Sequence, residues 1–135
     1  MIAVIVISII VLLGILYYLF PLIQVVGDSM FPTYYDQEIV IGNRLYPKSK
    51  LKSGDVVVYK SPEDEYRVVI KRIDKIRTDR NGNRMFYCLG DNSECSHDSR
   101  HYGFVHSKNL VCKVIITKRR IFIESLCKGG NDNDE

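Results

Sequence analysis

The chain has 135 residues, a formal charge of +3 and charges of mixed sign. After an apolar opening run, the remainder can build one modest core but not two domains. The absence of a basic stripe argues against nucleic-acid binding, and the four cysteines and three histidines match no zinc-ligand spacing, since no C-x-x-C occurs.

Met1 to Ile23 carry no charged side chain and are mostly Ile, Val and Leu. About 20 such residues at ~1.5 Å rise span the ~30 Å hydrocarbon core of a bilayer. Tyr17 and Tyr18 suit the interfacial belt. We read residues 1–24 as one transmembrane anchor. A cleaved secretory signal fits less well: no basic segment opens the run, the run exceeds the ~7–15 residues of a signal core, and no small-x-small site follows. A buried soluble helix is a third option, but β-branched Ile and Val with no polar face fit lipid better. The first basic residue is Arg44, so the positive-inside rule has little to count and composition leaves orientation open.

Beyond the anchor the chain reads as short strands. EIVIG (38–42) and GDVVVYK (54–60) are β-rich runs bounded by turn residues. YRVVIKRIDKIR (66–77) is a long extended segment. Asn81–Gly82 marks a hairpin, with MFYCLG (85–90) as its returning strand. A polar loop, DNSECSHDSRHYG, leads to apolar runs at 111–117 and 121–123. RRIFIESLCK fits either a strand or a short helix. The tail at 129–135 is polar and acidic and reads as disordered. Many short strands and no convincing soluble helix predict a mostly β, single antiparallel domain over 25–128.

Three places can do chemistry: Ser29 in GDSMFPTY, Lys71 in VIKRI, and the loop from Gly90 to Arg100. A serine hydroxyl needs a neighbour to take its proton, and no histidine sits in a triad-like context. Lysine can substitute if neutral. At a reference pKa near 10.4 a lysine is unprotonated about once in 2,500 at pH 7, a handicap of ~4.6 kcal/mol. Burial can lower the pKa by up to ~3–5 units. On an extended strand Lys71 shares a face with Val69 and Ile73, while Arg72 shares the other with Val68 and Ile70 and can snorkel to solvent. Taken alone, Lys71 reads as a surface residue on an edge strand, Ser29 as a turn residue, and the polar loop as a solvated connection.

Taken in order, S-M-F-P-T, G-D-V-V-V, I-K-R-I and G-D-N-S-E-C-S-H-D-S-R-H-Y-G-F-V beyond an anchor resemble the type I signal peptidases, membrane-anchored serine proteases that remove signal peptides from exported proteins. The likeness runs from about Val25 to Val105 and is most specific in its last element. It implies Ser29 as nucleophile, Lys71 as general base, and Ser96 as a hydroxyl that hydrogen-bonds and orients the lysine. It further implies Asp98 and Arg100 as a supporting pair, with Met30 and Pro32 framing the nucleophile's turn. The Ser29 N–H would donate to the oxyanion. Gly27 stands where some members carry a second, hydroxyl donor, as in many Gram-positive-like members. Only 18 residues separate Lys71 from Gly90, leaving no room for the extra β-domain of longer members. DKIRTDRNG replaces the usual glycine-proline-glycine-aspartate run, which affects the substrate walls.

The resemblance implies no metal and no organic cofactor, and as partners the lipid bilayer and signal-peptide-bearing precursors rather than nucleic acid. It places the chain in the cell membrane, single-pass, with its N-terminus cytoplasmic and its catalytic domain outside. An oxidising exterior permits cysteine pairing, with three connectivities open for four cysteines; buried free thiols are the preferred reading. Two alternatives remain: a protease dedicated to one substrate, and a non-enzymatic membrane-tethered β-module in which Ser29 is a turn residue and Lys71 a surface cation. Self-cleaving repressor-type proteases share the G-[DN]-S-M stretch but lack the anchor and the long loop.

Overall fold

The computed structural model describes residues 1–117. Cys127, the 121–123 run, RRIFIESLCK and the 129–135 tail lie outside the described residues.

Helix α1, Ile2–Leu19, contains no charge and has no buried residue; its length and composition suffice to cross a membrane. It is shorter than the 1–24 segment expected from sequence. Pro21 lacks an N–H and disfavours helical backbone at Phe20, which turns out at φ −123°, ψ 70°. Leu22–Gln24 then form strand β1, not membrane helix. The helix end is fastened to the sheet. Arg44 N–H donates to Leu19 O (3.0 Å) and Gly42 N–H to Pro21 O (2.9 Å), while the Arg44 guanidinium lies 4.6 Å from the centre of the Tyr18 ring.

The rest is one curled antiparallel sheet of seven strands, ordered β1-β2-β7-β3-β4-β5-β6. Strand β2 is Ile39–Asn43, β3 Val56–Lys60, β4 Val68–Thr78, β5 Arg84–Leu89, β6 Val105–His106 and β7 Leu110–Thr117. The mostly β expectation holds. A four-residue helix, α2 (Ser99–Tyr102), interrupts what reads in sequence as loop. The β4–β5 hairpin closes through Asn81–Gly82, with Gly82 at φ 81°, a value that glycine adopts without steric cost.

Strand β3 explains why both faces of the sheet are covered. Val56 and Val58 enter one apolar cluster with Val25, Met30, Tyr34 and Val40. Val57 and Tyr59 enter the other with Ile73, Phe86, Cys88 and Val105. An unbroken VVVY run is what a central strand buried on both sides requires. The first cluster packs the turn between β1 and β2 against the sheet, and that turn carries Ser29.

Candidate active site

Ser29 lies in a compact turn. Phe31 N–H donates to Asp28 O (3.1 Å) and Tyr34 N–H to Met30 O (3.0 Å); Gly27 N–H donates to Asp36 Oδ1 (2.7 Å). The Phe31–Pro32 peptide is cis. Met30, 0 % exposed, and Tyr34 anchor the turn in the first cluster, so these two side chains point inward while the Ser29 hydroxyl meets β4.

There it meets Lys71. Nζ and Ser29 Oγ are 2.6 Å apart, and Lys71 is only 4 % exposed. The surface-lysine reading therefore fails: strand β4 supplies the face, but the Ser29 turn and the loop after β5 supply the cover. Burial pulls the Lys71 pKa from 10.5 to about 8. The Asp98 charge opposes that shift, whereas Arg67 and Arg100 assist it. At pH 7 about one molecule in ten then holds a neutral amine, and the cost of reaching it falls to ~1.4 kcal/mol.

The loop after β5 is organised on the Asp98 carboxylate, which is 0 % exposed. Oδ2 accepts from Gly90 N–H (2.9 Å) and Ser96 Oγ (2.6 Å). Arg100 donates Nε to Oδ1 (2.9 Å) and Nη2 to Oδ2 (2.6 Å), and its N–H to Oδ1 (3.1 Å). Burial alone would raise the Asp98 pKa; the donors, Arg100 first, outweigh it and hold the carboxyl far below the usual range. Ser96 therefore donates to Asp98. Among the described residues it makes no hydrogen bond to Lys71, which differs from the orienting contact the resemblance implies.

The loop reaches the Ser29 turn directly through Asn92 N–H, which donates to Ser29 O (3.0 Å). Gly90 is required at this crossing. A Cβ there would collide with Ser96 Oγ and stand 2.6 Å from Ser29 O.

Sequence reasoning missed a second fastening. Arg72 does not snorkel to open solvent. It donates Nε to Asp91 Oδ1 (2.8 Å), Nη2 to Asp91 Oδ2 (2.6 Å) and Nη1 to Gly54 O (2.9 Å), and the Thr33 hydroxyl also donates to Asp91. The bidentate pair ties the Lys71 strand, the loop and the Ser29 turn together. The signal was present, since Thr33, Arg72 and Asp91 all lie inside the motifs quoted above.

A cleft of about 370 Å³ opens beside the dyad, with Val26, Gly27 and Asp28 on one side and Arg67, Val68 and Ile70 on the other. Strand β5 joins β4 only from Arg72 onward. Among the described residues, no strand pairs with Val68–Ile70 on that side, so this edge of β4 is free for an added strand. The Ser29 N–H also has no acceptor among the described residues. Cys88, Cys95 and Cys112 are free thiols, two of them buried and Cys95 exposed. Burial pushes the Cys88 thiol up to about 12, so it is inert rather than reactive. No metal-binding cluster occurs among the described residues.

A family model described as signal peptidase, peptidase S26, matches residues 1–80. That span contains Ser29 and Lys71; the Asp98 loop lies beyond it. No curated protein matches the chain.

Proposed function

The chain belongs to the signal peptidase family, peptidase S26, which implies serine peptidase activity, and on that premise we propose that it cleaves signal-peptide-bearing precursors at the membrane surface with a Ser29–Lys71 dyad. The observation that carries the reading is the 2.6 Å approach of Ser29 Oγ to a buried Lys71 Nζ.

A precursor strand would lie along Val68–Ile70 with its scissile carbonyl at Ser29. Ser29 Oγ attacks the carbonyl carbon while its proton passes to neutral Lys71. The carbonyl oxygen becomes an oxyanion that accepts from the Ser29 N–H. The Lys71 ammonium then protonates the leaving amine, the C–N bond breaks, and an ester on Ser29 remains. Water, deprotonated by Lys71, attacks this ester; the C–Oγ bond breaks, the Lys71 ammonium returns its proton to Ser29 Oγ, and the new carboxyl group leaves, ionising in solvent. Asp98, with Arg100 and Ser96, holds the loop that covers the lysine. Because Arg100 pairs with Asp98, that carboxylate is partly compensated and keeps Lys71 charged less strongly than an unpaired one would.

Helix α1 would span the bilayer, with residues from β1 onward as the peptidase domain outside the cytoplasm, where precursors emerge. The short Ser29–Lys71 separation and the burial of Lys71 speak against the non-enzymatic β-module. The test is incubation of the membrane fraction with a labelled precursor. Wild type should release the mature product, and Ser29→Ala and Lys71→Met should release none while remaining folded and membrane-bound. Full processing by either variant would remove the dyad.

A further inference from the structure

The cleft presents one arginine that has no acceptor among the described residues; its lining also holds Lys71, which donates to Ser29 Oγ, and one carboxylate, Asp28, which makes no ion pair with Arg67. Arg44 and Arg77 lie over the rings of Tyr18 and Phe104, Arg72 and Arg100 hold Asp91 and Asp98, and Arg84 donates to Leu51 O. Arg80, in the β4–β5 turn, lies outside the cleft. Arg67 differs from all of these. It is exposed and lines the cleft with Ser29 and Lys71, and among the described residues its side chain has no hydrogen bond or ion pair. Of the carboxylates near in sequence, Glu63 Oε2 is 2.7 Å from His97 Nε2, Asp64 Oδ1 accepts from Tyr66 N–H (3.0 Å), and Glu65 is exposed, does not line the cleft and makes no ion pair with Arg67.

Arg67 also has a fixed place relative to the free edge. Its carbonyl accepts from Ser61 N–H (2.8 Å), which extends the β3–β4 pairing by one step. Arg67, Val69 and Lys71 therefore fall on one face. Four steps along a strand cover about 13 Å, so a strand lying on Val68–Ile70 with its scissile bond at Ser29 places a side chain three to five residues from the cut beside the guanidinium. A guanidinium in that position matches a carboxylate by charge and by its planar pair of donors.

We propose that Arg67 is a specificity-determining residue that selects substrates with a carboxylate side chain three to five residues from the scissile bond. This rests on the reading of the cleft as the substrate groove.

The test uses the full chain in detergent micelles and peptide pairs that differ only by Asp against Asn, placed at the third, fourth or fifth residue on either side of the cut. For each pair, kcat/KM is measured with wild type, Arg67→Gln and Arg67→Glu; the ratio within a variant cancels any change in Lys71. Wild type should favour Asp about two- to fivefold at one or more positions, the upper part of the range of an exposed ion pair. The ratio should fall to about one in Arg67→Gln and invert in Arg67→Glu. The same peptides are bound, by fluorescence anisotropy, to Ser29→Ala with and without Arg67→Glu. If wild type cleaves no peptide, the dyad reading fails, yet the anisotropy ratio still decides the role of Arg67. Asp-to-Asn ratios that stay equal across the variants in both measurements would overturn the proposal.

Discussion

On the proposed function, the ε-amine of Lys71 matters twice, once in the chemistry and once in folding. For the chemistry, kcat/KM should rise with pH and level off above about 8, the value to which burial lowers the amine; a flat profile between pH 6 and 9 would exclude Lys71 as the base. For folding, the lowered pKa has the opposite sign from an ion-paired lysine. Between about pH 8 and 10.5 the unfolded chain binds more protons than the folded one, so this residue's contribution to stability improves as pH rises. Below pH 8 the fold carries a buried charge. Lys71→Met should therefore be inactive yet more stable at pH 6.5, by at most about 3 kcal/mol, with the gap closing towards pH 9.5. Urea unfolding at the two pH values measures it. The sequence supplies the strand face, because Val69 and Ile73 flank Lys71 at a period of two, but not the burial. Burial comes from the turn at Met30 and Tyr34 and the loop at Gly90 to Asp98, more than 15 residues away on either side, and periodicity along one strand carries no information about such cover.

Among the elements, the loop from Gly90 to Arg100 turns one sheet edge into a site. Gly90→Ala would drive the loop away from Ser29 O and Ser96. It should lower kcat/KM at least about a hundredfold, since small misplacements of reacting groups cost that much, while reducing stability by only about 1–3 kcal/mol; equal activity would show that the crossing is dispensable. Asp98→Asn should destabilise the fold by about 2–4 kcal/mol at pH 7, because a buried, multiply bonded carboxylate is lost. As the folded pKa of Asp98 is depressed, its contribution is present above about pH 4 and fades as pH falls further. The difference between variant and wild type in acid titrations of unfolding should shrink accordingly. Strands β2 to β5 and β7 follow the sequence reading closely, since each combines β-branched runs with flanking turn residues. The missed elements share a physical cause. L-I-Q of β1 is apolar like the helix before it, and only pairing with β2 makes it a strand. Two-residue β6 has no period to detect. Helix α2 is closed by a capping box in which His101, not Glu or Gln, returns the bond to Asp98.

At the scale of the whole molecule, the link between helix and sheet sets where Ser29 and Lys71 lie relative to α1. Pro21 is bonded to Gly42 in β2 and Leu19 to Arg44 just beyond it, and β1 runs from them into the Ser29 turn, so a short bonded link rather than a long free linker joins α1 to the site. The surface around that turn is apolar as well: Leu22, Val26, Phe31 and Ile39 are all exposed, which suits contact with the headgroup boundary. Removing residues 1–19 should therefore separate two contributions. Helix α1 buries no residue against the sheet, so the shortened chain should keep its core and cleave a short soluble peptide within about threefold of the full chain. Cleavage of a precursor embedded in vesicles should fall about 10²- to 10⁴-fold, the range lost when two partners no longer share one surface. A further Leu22→Asp, Ile39→Asp change in the shortened chain should abolish its residual sedimentation with the vesicles but spare the soluble peptide. Undiminished cleavage of the embedded precursor by the shortened chain would mean that the anchor adds nothing to the encounter, and that the bonded link at Leu19 serves the fold alone.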